Sequence, residues 1–270
     1  MQLLVSVRDA REAVSAFAGG ADVIDAKDPA RGALGPVAPE TLEQIHTVLA
    51  HRRPLSAALG DATTARRIRA SVPARTDLAF LKLGFAGKRG ASQRSLESLA
   101  RAARDAKPLP LILVAYADGE QAASPSSTTI LAVARASHAT GVLLDTATKR
   151  RRLLEILTER DLVQWIAAVR HAGLMAAIAG GLDETDIPIV RRAGAAIAGV
   201  RGAACAPGAG RLGPISVARV ARLSALAHET PCPGRAGLVE GGPQSVELVR
   251  GEHHGFQSFG KRASEITVHQ

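Results

Sequence analysis

Aromatic residues are scarce in this chain: five Phe, one Tyr and one Trp among 270 residues. A surface that stacks nucleic-acid bases needs such rings, so that class of function is poorly supplied. Cysteine is scarcer. Cys205 and Cys232 are too few for a disulfide framework and lack metal-ligand spacing, so they read as reduced or buried thiols. The histidines, His253 and His254 included, show no metal spacing either, and Ser6 and Ser56 stand in no nucleophile-elbow motif. No metal and no cofactor are expected. No run of about 18 apolar residues occurs, so no membrane span is expected. Residues 1–7 read as a short strand, not as a charged segment ahead of a long apolar core, and a cytoplasmic protein is expected.

Lysine is the third scarcity and the most informative. Only six of the 34 basic residues are Lys. Three of the six end apolar segments: Lys27 in Asp22-Val-Ile-Asp-Ala-Lys27, Lys82 in Leu78-Ala-Phe-Leu-Lys-Leu-Gly84, and Lys149 in Leu143-Leu-Asp-Thr-Ala-Thr-Lys149. A chain that otherwise uses Arg has little need of Lys for solubility. Lys alone of the two can lose its proton and attack a carbonyl.

The net charge of +9 suits an anionic partner. Its arginines, however, are spread over several predicted helices as solvated faces, as at Arg66-Arg67, Arg150-Arg151-Arg152 and Arg191-Arg192. A small phosphorylated substrate would use the same field, and neither nucleic acid nor membrane is expected as partner. A homo-oligomer is left open.

Short apolar strands alternate with helix-period segments along most of the chain, the pattern of a parallel sheet built from βα units. Strands are predicted at residues 3–7, 22–27, 55–59, 78–84, 109–116, 141–145, 174–179 and 195–201. Helices are predicted at 9–18, 39–51, from an N-cap at Asp61 to before Pro73, 92–106, 126–138, 151–171 with a break near Asp161, 184–193 and 215–227. Eight such units within about 228 residues predict a single (β/α)8 TIM barrel of class α/β. Residues 229–270, interrupted by prolines and glycines, read as an irregular C-terminal extension.

A barrel places its active site at the C-terminal strand ends, which is where the lysines fall. Asp25 and Lys27 are two residues apart on one strand and should share a face. Asp145 and Lys149 close the sixth unit. Converging amines would depress one another's proton affinity, and the two aspartates would counter that locally and move protons. The last two strands end in Gly180-Gly181 and in Arg201-Gly202. Their backbone N–H groups and the Arg201 guanidinium are predicted to cradle a phosphate. Gly208-Ala-Gly-Arg-Leu-Gly213 matches the letters of a dinucleotide-binding loop but lacks the strand–turn–helix context and the following acidic residue, and that function is rejected.

The segments Gly19-Gly-Ala-Asp-Val-Ile-Asp-Ala-Lys-Asp-Pro29, Gly32-Ala-Leu-Gly35, Lys82-Leu-Gly84, Leu143-Leu-Asp-Thr-Ala-Thr-Lys149 and Val200-Arg-Gly-Ala-Ala-Cys205 resemble the (5-formylfuran-3-yl)methyl phosphate synthase family of methanofuran-type cofactor biosynthesis. The resemblance spans roughly residues 1–226. It implies a cofactor-free barrel that condenses two glyceraldehyde 3-phosphate molecules into a furan aldehyde phosphate, losing phosphate and water. It further implies that Lys27 forms a Schiff base while Asp25, Lys82, Asp145 and Lys149 bind or move protons around it. Asp28 stands where some relatives are expected to carry Asn. The residues alone also admit another Schiff-base barrel aldolase or isomerase acting on a sugar phosphate. A basic nucleic-acid-binding or scaffold protein is the alternative of a different class.

Overall fold

A computed structural model describes residues 1–229. Eight parallel strands close into one barrel in chain order: β1 (Gln2–Val7), β2 (Val23–Ala26), β3 (Leu55–Asp61), β4 (Phe80–Gly84), β5 (Leu111–Tyr116), β6 (Gly141–Asp145), β7 (Met175–Ile178) and β8 (Ile197–Val200). The helices between them are α1 (Ala10–Ala18), α2 (Pro39–Leu49), α3 (Ala65–Ser71), α4 (Gln93–Arg104), α5 (Ser127–Ala136), α6 (Glu159–His171), α7 (Asp186–Arg192) and α8 (Val217–His228). β8 pairs with β1, Val5 opposite Val200, so the sheet has no free edge.

Strand residues alternate between two apolar cores. Leu3, Val5, Val7, Ile24, Leu81, Leu83, Leu113 and Ile178 point outward into the layer under the helices. Leu4, Val23, Phe80, Ile112, Val114, Leu143, Ala177 and Ile197 point inward and fill the barrel. With both strand faces covered, the strands read as near-continuous apolar runs. The inner face turns polar at Ser6, Asp25, Lys82 and Asp145, in the C-terminal halves of their strands, and at Ser56 near the start of β3, all of them buried. The loop after β2 adds Ala33 and Leu34 to the inner core, which fills one side of the mouth.

Two local expectations change. Asp61 is not a helix cap: it ends β3, where its carboxylate accepts from Tyr116 Oη and Ala86 N, both at 2.9 Å. Thr64 caps α3 instead, accepting from Arg67 N at 3.3 Å. The predicted 151–171 helix breaks earlier than Asp161, between a 3-10 turn at Leu153–Glu155 and α6. Thr158 caps α6, and Asp161 lies inside its first turn, closing a capping box. Apart from residue 229, the expected C-terminal extension lies outside the described residues.

Candidate active site

The C-terminal strand ends surround a cavity of about 300 Å³ whose walls include Ser6, Lys27, Lys82, Asp145, Lys149, Gly180, Gly181 and Gly202. The three expected lysines therefore meet at one mouth. Lys27 follows β2, its backbone N–H held by Val7 O at 2.9 Å, and its side chain is partly accessible. Burial first, then the charges of Lys82 and Lys149, push its ammonium down from 10.5 to about 7, against the pull of Asp145 and Asp25. Both aspartates act on it through space, with no hydrogen bond to it among the described residues.

Asp25 does not hold Lys27, as their shared strand suggested. Its Oδ2 binds Lys82 Nζ, one strand beyond β3, at 2.6 Å. Ser6 Oγ and Ser56 Oγ donate to its two oxygens at 2.8 Å each. Parallel register puts Ser6 opposite Asp25 and Asp25 opposite Ser56, which aligns three polar side chains on neighbouring strands. Burial pushes this carboxyl up, but Lys82, Lys27 and the hydrogen bonds outweigh it and hold the group below its usual range. The carboxylate is thus a fixed anion in the barrel wall. Ser6 and Ser56 lacked a nucleophile signature, and their role became visible only through that register.

Across the mouth, Lys149 Nζ meets Asp145 Oδ1 at 2.5 Å, and Thr146 N donates to the same oxygen at 2.7 Å. Burial raises the Asp145 carboxyl, whereas Lys149 and Lys27 lower it more, so it too stays below the usual range. Lys149 has φ +57°, an uncommon conformation for a residue with a side chain. Its loop is tied down by Asp118, which accepts from Ala147 N at 2.6 Å, Thr148 N at 2.8 Å and Thr148 Oγ1 at 2.7 Å. Asp118, beyond β5, carried no signal in the sequence because its partners lie about 30 residues away.

The turn expected to cradle a phosphate follows β7 directly. Gly180 and Gly181 have φ +106° and +73°, and a β-carbon on Gly180 would lie 3.0 Å from Leu153 Cβ. Only glycine takes this turn without strain. Among the described residues, no acceptor holds the backbone N–H groups of Gly180, Gly181, Gly202 or Ala203, and all but the last line the cavity.

Arg201 borders the cavity too, but its guanidinium is spent. Nη1 and Nη2 reach Glu12 at 2.5 and 3.0 Å. The remaining N–H groups bind Ser6 O, Arg211 O and Gly213 O at 2.9–3.0 Å. Five contacts exhaust the five donors of the fork, which leaves none for a phosphate. The expected anchoring by Arg201 therefore has no geometric support, while the N–H groups of Gly180, Gly181 and Gly202 have no acceptor among the described residues.

Two other groups lie away from this chemistry. Cys205 is buried with its thiol toward Arg201 O at 3.2 Å, and burial pushes its pKa up, the reverse of an activated nucleophile. His46, His51 and Asp77 cluster near the N-terminal strand ends, at the other end of the barrel. There Arg75 holds both Asp77 oxygens, at 2.9 and 2.6 Å, so that carboxylate already has its cation.

Among solved structures, the fold matches 3-hexulose-6-phosphate synthase, with TM-score 0.53 and 22% identity over 84% of this chain and 99% of that one. It also matches phosphoribosyl anthranilate isomerase from Thermus thermophilus, with TM-score 0.55 and 15% identity over 84% and 98%. Both likenesses are of fold alone. In sequence, the chain is 34% identical to the (5-formylfuran-3-yl)methyl phosphate synthase of Methanosarcina mazei, over 76% of this chain and 91% of that protein. It is 32% identical to the enzyme of the same name from Methanopyrus kandleri, over 83% and 97%. The family model described as 4-HFC-P synthase matches residues 3–224, almost the whole barrel, and the chain belongs to that family of synthases.

Proposed function

We propose that this enzyme is a Schiff-base lyase that joins two glyceraldehyde 3-phosphate molecules into (5-formylfuran-3-yl)methyl phosphate, for a methanofuran-type cofactor. The observation that carries the reading is Lys27, whose amine is pushed down to about 7 by burial and by its lysine neighbours at the mouth of the barrel. At neutral pH about half of such an amine is unprotonated and can add to an aldehyde or ketone, whereas an ordinary lysine is almost wholly protonated.

Lys27 Nζ attacks the carbonyl of one triose, and water leaves as the imine forms. Loss of a proton beside the imine gives an enamine carbon that attacks the aldehyde of the second triose. Across the whole sequence the atoms balance when one phosphate and two waters leave. Several proton removals and leaving-group protonations are needed, more than one amine can serve. Asp145 and Lys149, in contact at 2.5 Å beside the same cavity, take that work. The Asp25–Lys82 pair keeps a fixed charge below Lys27, and the glycine N–H groups hold a phosphate. No metal and no cofactor takes part in this scheme.

Borohydride reduction with substrate, followed by peptide mapping, tests it. A reduced adduct on Lys27 is expected, with Lys27→Arg inactive because Arg keeps the charge but is no nucleophile. Labelling elsewhere with an active Lys27→Arg would sink the assignment. Glyceraldehyde 3-phosphate alone should yield free phosphate and a furan chromophore. A requirement for a second, different substrate would favour another aldolase.

A further inference from the structure

The glycine-rich stretch 208–213, rejected as a dinucleotide loop, presents a cation to the cavity. Cys205 and Ile215 form an isolated antiparallel bridge, and Ala206 N donates to Pro214 O at 2.9 Å, so the intervening excursion leaves and returns at one place. Gly208 and Gly210 turn it tightly with φ +73° and +57°. Near its far end stands Arg211, which lines the cavity together with Lys27, Gly180, Gly181 and Gly202.

The backbone around Arg211 is fixed by two other arginines. Arg201 Nε donates to Arg211 O and Arg201 Nη2 to Gly213 O, each at 2.9 Å, while Arg8 Nη1 donates to Leu212 O at 2.7 Å. Glu12 holds both of them, Arg201 at 2.5 Å and Arg8 at 3.2 Å. Arg211 itself is only partly engaged. Its Nη2 donates to Gly32 O at 3.0 Å and to Pro29 O. Its Nε and Nη1 have no partner among the described residues, and no carboxylate there pairs with it. Arg201 is buried and saturated, whereas Arg211 stands at the cavity with three N–H donors to spare.

We propose that Arg211 is the side-chain ligand of a substrate phosphate seated on the Gly180–Gly181 and Gly202–Ala203 N–H groups, and that Arg201 is its positioning residue. The inference rests on the cavity being a triose-phosphate site. A planar fork beside backbone donors recognises a phosphate dianion better than a point charge does. The contacts to Pro29 and Gly32 also tie this excursion to the loop that begins just after Lys27.

Phosphate binding tests the proposal without turnover. Inorganic phosphate should bind the parent in a calorimetric titration, and Arg211→Gln should weaken that binding about ten-fold or more without lowering the unfolding temperature in its absence. Arg211→Lys should recover part of the affinity, since it restores the charge but not the fork. Arg201→Lys can still meet Glu12 but loses the carbonyls of Arg211 and Gly213. It should raise KM for triose phosphate with kcat largely kept, an effect that a merely structural role would not produce. Parent-like phosphate affinity in both Arg211 variants, or no phosphate binding by the parent, would overturn the assignment. A parent that binds phosphate through Arg211 but makes no furan would instead sink the proposed reaction and leave this anchor standing.

Discussion

Two lysine–aspartate pairs flank Lys27, and they are built to different standards. Asp25–Lys82 lies within the barrel wall, with side-chain exposures of 0% and 4%, and two serines satisfy the carboxylate's remaining capacity. Asp145–Lys149 joins a strand end to a loop: Asp145 is buried, but Lys149 is 18% exposed and has a left-handed backbone. The first pair is closed off from solvent, with Lys82 reaching the cavity wall. The second joins a buried acid to a partly exposed cation at the same cavity. Burial and backbone, not residue type, distinguish the two pairs, and the proposed reaction assigns them different work.

Of the two pairs, the one carried by the loop gives the larger expected change in activity when its acid is removed. Asp145→Asn should still form the Lys27 imine under borohydride but release phosphate and furan about 10²–10⁴-fold more slowly, the usual worth of a positioned acid–base group. Its stability should change by roughly 1 kcal/mol or less, because the Lys149 ammonium can turn to water. Parent-rate product from a folded Asp145→Asn would make the pair structural and erase the contrast.

Asp25→Asn tests the other side. It leaves the Lys82 ammonium buried without its partner, and denaturant unfolding should show a loss of about 3–5 kcal/mol. Replacing both members, as Asp25→Asn with Lys82→Met, should return most of that loss while activity stays low. If Asp25→Asn is no less stable than Asp145→Asn, the wall pair is not what burial implies.

The pH dependence sharpens the comparison through the amine between the pairs. With the Lys27 ammonium lowered to about 7, the rate of imine formation should rise with pH through that value and level off above it. Asp145→Asn removes an anion that favours the ammonium, so the same profile should shift to lower pH. For stability the sign is opposite to that of an ion-paired lysine. Between about 7 and 10.5 the unfolded chain keeps a proton that the folded one has lost, so this group's contribution to stability improves as pH rises across that window. Lys27→Met should therefore be more stable than the parent at neutral pH, with an advantage that shrinks toward pH 10.5.

The smallest effect concerns the loop that carries Lys149. Asp118→Asn keeps an acceptor for Ala147 N but loses the second oxygen that receives Thr148 N and Oγ1. A misplaced Lys149 should lower kcat on the order of ten-fold, with little change in KM. An unchanged kcat would show that the loop holds Lys149 without Asp118.

Much of the barrel could be read along the chain because its strands and helices are local. Apolar runs such as 109–116 and 141–145 announce strands covered on both faces, and the helix between them follows its own period. Where a distant residue competes, the local signal misleads. Asp61 has the chemistry of a helix cap, yet Tyr116 and Ala86 N hold it at the end of a strand. The same logic governs the site. Lys27, Lys82 and Lys149 were legible as strand-end amines in a chain that prefers arginine. Their partners were not, since sequence neighbours on one strand, Asp25 and Lys27, gave way to a contact two strands away, Asp25 to Lys82.

By itself, then, the sequence determined the eight-unit alternation, the end of the barrel at which chemistry belongs, and the amines and carboxylates present there, because side-chain period and residue type are properties of the chain. Tertiary structure decided which charges pair, which amine is starved of its proton and which arginine is spent. Those outcomes depend on strand register, on distance across the barrel and on exclusion of water. Arg201 and Arg211 are alike as letters, yet Glu12 and three backbone carbonyls take every donor of the first, while the second gives two backbone carbonyls only its Nη2.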